Sequence, residues 1–285
     1  MAPIPTSTSS FKTHRAPTLP PPAEIRALNI ATNKPSATSF NCPPPVLIPS
    51  SGLAVKYGAD VTLIEVETQI MIRERLQGRV PVPEVFGWEE DGEQGFLYME
   101  LVEGDSLMER WSGLSEDEIR GVCGELRGMM ELVRGLEQDD GPYIGSLNNQ
   151  PLKDLFLTHN PTINGPYQGP NAIDQFQETC GLWITTTNTN QNPIAFTHND
   201  LLPPNILISP SPNPKVTAIV DWAQAGWYPA YWEYCKARYI RVNPRYISDA
   251  AIAEWRTKYL PLIVDSVDEE GGYHAWLYFA LSKGP

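Results

Sequence analysis

Three short apolar runs between residues 195 and 220 alternate with polar loops. Their composition favours β-strands, and they occupy residues 195–197, 206–208 and 216–220. The loop between the first two runs carries His198, Asp200 and Asn205, and the third run ends at Asp221. If the last two strands form a hairpin, the start of the first strand and the end of the second lie side by side, away from the hairpin turn. Asp200, Asn205 and Asp221 then converge beside the 198–205 loop. The segment therefore predicts a site built from two carboxylates and one carboxamide.

This set of side chains suits phosphoryl-transfer chemistry. A carboxylate and a carboxamide supply hard oxygen ligands for Mg²⁺, which keeps several waters and bridges phosphates. A second carboxylate, away from the metal, can accept a proton from an attacking hydroxyl. The spacing H-x-D-x-x-x-x-N followed by a strand-end Asp is that of kinase catalytic loops. Each residue alone is also typical of a turn, so only the combination indicates chemistry.

Hydrophobic periodicity divides the rest of the chain into a strand-rich part and a helix-rich part. In the first part we predict one helix at residues 61–77 and four strands, at residues 46–48, 53–57, 85–88 and 95–101. In the second part a capping box at Ser115 and Glu118 begins a long amphipathic helix. Weaker helical patterns follow at residues 171–187 and 229–264. This order predicts an α+β chain with a small antiparallel sheet and a larger, mostly helical part.

The beginning of the chain differs in composition from the rest. Residues 1–50 contain 11 of the 28 prolines and a single carboxylate, Glu24. Two triple-proline runs, at 20–22 and 43–45, favour the extended polyproline conformation. Residues 1–45 are therefore predicted to be a disordered leader, which is either a tail without function or a ligand of the PxxP type.

The charge of the chain limits its partners. The net charge is −13, and because residues 1–50 carry +3, residues 51–285 carry −16. The strong negative charge of residues 51–285 argues against binding to nucleic acid, which needs clustered Lys and Arg. It is compatible with a cationic small ligand, with a carboxylate-bound metal, or with solubility alone. Asp154, Asp174 and Glu233 are candidates to attract a cationic acceptor, and are equally expected to be solvated surface residues.

Apolar runs and cysteines bear on the location of the protein. No apolar run approaches the ~20 residues that cross a bilayer, and the N-terminus has no apolar signal region. The four cysteines form no Cys-x-x-Cys pair, so neither a zinc site nor a disulfide framework is predicted. A reducing compartment, the cytoplasm, is the expected setting, without membrane partners.

Several segments, in order along the chain, match a known family. They are LAVKYG (53–58), IE (64–65), VPVP (80–83), LYMELVEG (97–104), HNDLLPPN (198–205) and VDWAQAGWYP (220–229). On these segments the chain resembles the aminoglycoside phosphotransferase family, especially its fungal members, within the protein-kinase-like fold. One segment alone is a weak signal, whereas the ordered set over about residues 50–240 is specific. The resemblance implies a bilobal fold, with an N-lobe at 46–101, a C-lobe at 102–285 and nucleotide in the cleft.

The resemblance also implies roles for residues of the C-lobe. Asp200 is expected to be the catalytic base, which orients and deprotonates the acceptor hydroxyl. Asn205 and Asp221 are expected to hold Mg²⁺. His198 is expected to be structural and to form hydrogen bonds within the catalytic loop.

In the N-lobe, the resemblance implies a nucleotide site. Lys56 is expected to contact the α- and β-phosphates of ATP, and Glu65 to pair with Lys56, in preference to Glu67. Backbone groups of Glu100 and Val102, in the hinge between the lobes, are expected to bind the adenine edge.

The function implied is ATP-dependent transfer of a phosphoryl group to a hydroxyl of a small molecule. One departure supports a first alternative, an inactive nucleotide-binding pseudo-kinase or scaffold: the region 43–52, where a phosphate-covering loop is expected, contains only one glycine, Gly52. A second alternative is a protein kinase. The absence of Arg between His198 and Asp200 and of an A-P-E segment speaks against it.

Overall fold

The computed structural model of the protein describes residues 18–139, 141–158, 160–182, 193–239 and 247–283. Over these ranges the chain forms two compact units. The first contains residues up to Glu74 together with Val82–Glu103, and the second contains Arg75–Pro81 together with the residues from Gly104 onward. Within the described ranges, every helix is too short or too polar to span a bilayer. The first unit is built on an antiparallel sheet and the second is mostly helical, which confirms the predicted α+β class.

The first unit is organised around a four-stranded antiparallel sheet of order β1-β2-β4-β3. Its elements in chain order are α1 (Pro22–Ala31), β1 (Val46–Ile48), β2 (Leu53–Gly58), α2 (Leu63–Leu76), β3 (Val85–Asp91) and β4 (Gln94–Glu100). Along β2 the side chains alternate between the two faces of the sheet. Val55 and Tyr57 lie in one core cluster with Phe96, whereas Lys56 contacts α2 on the other side. The strand pattern thus fixes the face on which Lys56 is presented.

Helix α1 corrects the prediction of a disordered leader over residues 1–45. Residues 1–17 lie outside the described residues, but residues 22–31 are helical. Pro22 occupies the first turn, where a missing N–H costs nothing. Ile25 is fully buried in the sheet core, and Asn29 Nδ2 donates to Tyr57 Oη at 2.9 Å and to the Pro44 carbonyl at 2.9 Å. Tertiary packing therefore orders a segment that composition alone assigns to a tail.

The β3–β4 hairpin has one position that requires glycine. A Cβ on Gly95 would lie 2.1 Å from the ring of Trp88, so only glycine allows the indole to cover the strand. Trp88 in turn packs against the cluster of Val61, Val66 and Leu97, beside α2. The hairpin and α2 are thus held by one small core.

The second unit combines helices with three short antiparallel sheets over its described residues. Its elements are β5 (Asp105–Ser106), α3 (Leu107–Arg110), α4 (Glu116–Arg134), β6 (Tyr143–Ile144), β7 (Tyr167–Gln168), α5 (Ala172–Cys180), β8 (Ile194–Thr197), β9 (Ile206–Ile208), β10 (Val216–Ile219), β11 (Gly226–Pro229), α6 (Trp232–Tyr239), α7 (Asp249–Glu254), α8 (Leu260–Ile263) and α9 (His274–Lys283). The sheets have the orders β10-β9-β5, β11-β8 and β6-β7. Of the predicted helices, residues 183–187 and 240–246 lie outside the described residues.

Helix α4 begins as its sequence predicts. Ser115 Oγ accepts from the Glu118 N–H at 3.3 Å, and Glu118 Oε2 accepts from the Ser115 N–H at 2.9 Å. This reciprocal capping box satisfies two N–H groups that the helix start leaves without intrahelical partners. The apolar stripe of α4 is buried, as the periodicity requires, at Ile119, Val122, Cys123, Leu126, Met130 and Val133.

An aromatic core surrounds the start of α6. The Trp232 ring lies 5.1–5.8 Å, centroid to centroid, from four other rings, those of Phe176, Tyr228, Trp276 and Phe279. Most of these contacts are edge-on or tilted, as aromatic quadrupoles prefer. The core gives α6 a rigid position from which its polar side chains reach the loop after β8.

Candidate active site

The loop after β8 is organised by His198, which is fully buried. Its Nδ1 accepts from the Asp200 N–H at 3.1 Å, so its other nitrogen, Nε2, carries the proton and donates to the Val220 carbonyl at 2.9 Å. Burial lowers the pKa of His198, which favours this neutral form. The ring also lies edge-on to Trp222 at 4.4 Å. His198 therefore ties the backbone of Asp200 to the strand that leads to Asp221.

Asp200 and Asn205 are in direct contact. The Asn205 Nδ2 group donates to the Asp200 carboxylate Oδ2 at 2.9 Å and to the Asp200 carbonyl at 2.8 Å. The tight turn Pro203–Asn205 brings the two side chains together. Because the amide nitrogen faces Asp200, the Asn205 Oδ1 atom is the one oriented to serve as an oxygen ligand.

Asp221 reaches the same place through the β9–β10 hairpin. Ile206 pairs with Ile219, and the Val220 N–H donates to the Asn205 carbonyl at 3.0 Å. The next residue, Asp221, adopts a left-handed backbone conformation with φ of 65°, which is uncommon for a residue with a side chain. Strand pairing thus brings Asn205 and Asp221 to neighbouring positions.

The described side chains limit the number of protein ligands that a metal ion at this site could have. In the described part of the chain, no group of three or more His, Cys, Asp or Glu side chains is placed to hold a metal ion. A cation at Asn205 and Asp221 would therefore have one amide oxygen and one carboxylate from the protein. Mg²⁺ fits such a set, because it completes its octahedron with waters and substrate phosphates.

In the first unit, Lys56 of β2 and Glu65 of α2 form an ion pair. Lys56 Nζ lies 2.6 Å from Glu65 Oε1, and the two side chains are 14% and 1% exposed. Glu67, the alternative partner, is only half-buried. A pair this short and this shielded from water orients the lysine strongly.

The segment after β4 borders a polar cavity of about 620 Å³, lined by Pro49–Gly52 and Glu100–Glu103. Glu100 is anchored to Glu84, since its N–H donates to the Glu84 carbonyl at 2.8 Å and its Oε2 accepts from the Glu84 N–H at 3.2 Å. The Leu101 N–H donates to the Gly52 carbonyl at 2.9 Å. These bonds fix the backbone at Glu100 and at Leu101, which lies between Glu100 and Val102, the two residues predicted to bind the adenine edge.

The loop that precedes the Lys56 strand is short and poor in glycine. β1 and β2 are joined by a 3₁₀ turn, Pro49–Ser51, followed by Gly52 with a left-handed φ of 57°. Between residue 18 and β1 the chain forms α1 and a 3₁₀ turn at Pro35–Thr38, and no strand. A glycine-rich hairpin over the phosphates is therefore not found in the described residues.

Sequence reasoning missed a buried polar cluster beneath the loop. Asp154 and Glu233 were expected to attract a cationic ligand or to be solvated, but they are 0% and 3% exposed; Asp174 is exposed. Both buried carboxylates instead accept hydrogen bonds from Asn199. The expectation is wrong for these two residues because local sequence does not reveal the burial of a charge whose partners are distant along the chain.

The small antiparallel sheet followed by a helix-rich part is an arrangement of the protein-kinase-like kind. The chain belongs to the phosphotransferase enzyme family APH, whose family model matches residues 57–262. Lys56 lies one residue before the matched range. The resemblance predicted from the motifs is thereby confirmed.

Similarity to individual proteins is more distant. A subtelomeric hrmA-associated cluster protein of Aspergillus fumigatus is 32% identical over 120 residues, which are 40% of this chain and 22% of that one. The fold resembles a thermostable mutant of aminoglycoside phosphotransferase APH(4)-Ia in its apo form, with a TM-score of 0.50, 13% identity and coverage of 82% of this chain and 79% of that one. It also resembles the GDP complex of aminoglycoside 2'-phosphotransferase-IIIa, with a TM-score of 0.51, 14% identity and coverage of 85% and 79%. At these identities the structural likeness concerns the fold alone.

Proposed function

We propose that the protein transfers the γ-phosphoryl group of ATP to a hydroxyl of a small molecule. The observation that carries this proposal is the contact between Asp200 and Asn205, together with the hairpin bond from Val220 to Asn205. The first bond joins the proposed base to one proposed metal ligand, Asn205, and the second pairs Asn205 with the residue that precedes the other proposed ligand, Asp221.

Asp200 is the proposed general base. The bond from the Asn205 amide to Oδ2 fixes the direction of the carboxylate. A carboxylate so held can align an acceptor hydroxyl and take its proton as the bond to phosphorus forms. The bond from the Asp200 N–H to His198 holds the backbone still during this step.

Asn205 and Asp221 are the proposed ligands of Mg²⁺. Their oxygens are hard donors, and a set of only two protein ligands suits an ion that also binds waters and phosphate oxygens. When bound, Mg²⁺ neutralises negative charge on the phosphates during transfer.

Lys56, Glu65, Glu100 and Val102 are the proposed nucleotide-binding residues. The 2.6 Å contact with Glu65 supports a lysine held ready for the α- and β-phosphates. The cavity at Glu100–Glu103 and Pro49–Gly52, of about 620 Å³, has room for a base. We propose a cytoplasmic location, in keeping with the cysteine spacing.

The acceptor is proposed to be a small molecule that carries hydroxyl groups, with cationic compounds preferred because residues 51–285 carry −16. Aminoglycosides, the substrates named for the two solved structures of similar fold, belong in the first panel. The glycine-poor turn at Pro49–Gly52 favours one competing function, nucleotide binding without turnover.

A transfer assay separates these two functions. The purified protein is incubated with γ-³²P-labelled ATP or GTP, Mg²⁺ and a panel of cationic and neutral polyols, and labelled products are resolved by chromatography. We expect a labelled phosphoester with at least one acceptor. Calorimetric binding of Mg²⁺–ATP with no labelled product and no phosphate release would favour the inactive nucleotide-binding protein instead.

A further inference from the structure

The residue between His198 and Asp200 is held in an unusual conformation. Asn199 is fully buried and has a left-handed backbone with φ of 64°. Residues other than glycine rarely adopt this conformation, because Cβ crowds the following carbonyl. Such a conformation persists only where the surroundings determine it. The direction in which the chain enters Asp200 therefore depends on whatever holds Asn199.

Hydrogen bonds from both its backbone and its side chain hold Asn199. Its N–H donates to Glu233 Oε2 at 2.9 Å, and its side-chain Nδ2 donates to Asp154 Oδ2 at 2.7 Å and to the Gln224 carbonyl at 3.1 Å. Asp154 is thus the only charged group, among the described residues, that binds the Asn199 side chain.

Asp154 is in turn fixed by a buried ion pair with Lys236. The Lys236 Nζ atom lies 2.8 Å from Asp154 Oδ2, and the two side chains are 1% and 0% exposed. Asp154 also accepts from Trp232 Nε1 at 2.9 Å and from the Phe156 N–H at 2.6 Å. Lys236 donates to Gln224 Oε1 at 2.7 Å.

The energetics of buried ion pairs indicate that this pair positions neighbouring groups and adds little net stability. Burying two charges costs about as much as their attraction returns, so well-packed apolar residues would stabilise the fold equally well. An ion pair whose two members also form hydrogen bonds to neighbouring groups does, however, fix those groups in one arrangement. Here those groups are Asn199, one residue before the proposed base, and Gln224, three residues after the proposed metal ligand Asp221.

We propose that the Asp154–Lys236 ion pair is a positioning element, which locks Asn199 in its left-handed conformation and thereby aims the Asp200 carboxylate. The inference rests on the proposed function, since it assigns the pair to the alignment of the base. Lys236 and Asp154 touch neither substrate nor reacting atoms in this role. A displacement of a catalytic group by about 1 Å can reduce a rate by about 100-fold, so loosening Asn199 reduces kcat and leaves nucleotide binding unchanged.

The test uses Lys236→Met, which removes the cation and keeps an unbranched side chain that is one atom shorter. We expect kcat per nucleotide-binding site, counted by calorimetry, to fall by about 10- to 100-fold, with KM for ATP within about 2-fold of wild type. Lys258→Met is the matched control, because Lys258 forms a half-exposed ion pair with Glu116 at 2.8 Å in the same unit. It should retain wild-type kcat.

A second substitution distinguishes positioning from simple stabilisation. Glycine adopts the left-handed conformation without strain, so Asn199→Gly in the Lys236→Met background should recover most of the lost kcat. If the ion pair only stabilised the fold, Asn199→Gly would give no recovery. Wild-type kcat in Lys236→Met, or a loss that Asn199→Gly does not relieve, would overturn the proposal.

Hydrogen exchange tests whether the ion pair holds Asn199 and Asp200 in place, even if no acceptor is turned over. In Lys236→Met we expect the amides of Asn199 and Asp200 to exchange at least 10-fold faster, while those of α4 keep their protection. Unchanged protection at Asn199 and Asp200 would overturn the positioning role. Failure of wild type to phosphorylate any acceptor would contradict the proposed function alone, and the exchange experiment would still measure whether the ion pair locks this loop.

Discussion

The buried His198 predicts a loss of stability in mild acid that one substitution should remove. Its Nδ1 accepts from the Asp200 N–H, and a protonated ring would place two donors face to face. Burial, the main cause, lowers the pKa of His198 in the folded state. The unfolded chain therefore binds a proton near the ordinary histidine pKa of about 6.5, whereas the folded chain does so only at lower pH.

The sign and size of the effect follow from this difference. As pH falls through about 6.5, the unfolded state gains a proton that the folded state lacks, so the free energy of unfolding decreases. If the folded ring stays neutral, lowering the pH from 7.5 to 5.5 costs about 1 kcal/mol. Stability is fully present above the unfolded pKa and is lost below it.

The measurement is urea unfolding followed by tryptophan fluorescence at pH 7.5 and 5.5. His198→Gln keeps a side-chain amide donor for the Val220 carbonyl but cannot titrate, so its stability should change by about 1 kcal/mol less than that of wild type between the two pH values. His274→Gln is the control, because His274 is 60% exposed and should leave the wild-type pH dependence intact. Identical pH dependence in wild type and His198→Gln would refute the assignment of a neutral, buried ring.

Three further predictions concern the nucleotide, the metal and the first unit. Lys56→Met should weaken nucleotide binding by about 10-fold or more in calorimetry while the far-ultraviolet circular dichroism is retained, because a charged hydrogen-bond donor to phosphate is lost; unchanged affinity would refute the role of Lys56. Nucleotide binding should disappear in EDTA and return with Mg²⁺ or Mn²⁺ but not with Zn²⁺, since the proposed metal ligands are oxygens only. It should also weaken in Asp221→Asn, and equal binding with and without metal would contradict the proposed metal site. Ile25→Ala should lower the free energy of unfolding by about 3 kcal/mol, because Ile25 is fully buried in the sheet core; a change within error would mean that α1 is not part of that core.

Local patterns allowed much of the fold to be predicted. The strands around β2 and the β3–β4 hairpin follow from short apolar runs between turn residues, and α4 follows from its capping box and apolar stripe. Helix α1 was missed because it is only 10 residues long and proline-rich in its surroundings. Its order comes from the packing of Ile25 and Asn29 against the sheet, which no local pattern reveals.

The candidate site likewise contains residues that could be predicted from the sequence and residues that could not. Asp200, Asn205 and Asp221 were recognisable because their spacing along one strand–loop–hairpin segment determines their proximity. Asp154 and Lys236 are 82 residues apart, and their contact depends on the packing of α6. Sequence shows two ordinary charged residues there, and only the tertiary structure shows that they are buried together.

Asp200 is the proposed base of the phosphoryl transfer, and Asp221 is a proposed ligand of the metal. Turnover of the best acceptor and affinity for Mg²⁺–ATP should be measured side by side for wild type, Asp200→Asn and Asp221→Asn. Removing a general base costs about 10²- to 10⁴-fold in rate, so Asp200→Asn should lose that much in kcat and retain wild-type nucleotide affinity, whereas Asp221→Asn should lose both. Wild-type turnover in Asp200→Asn would contradict the role of Asp200 as the base.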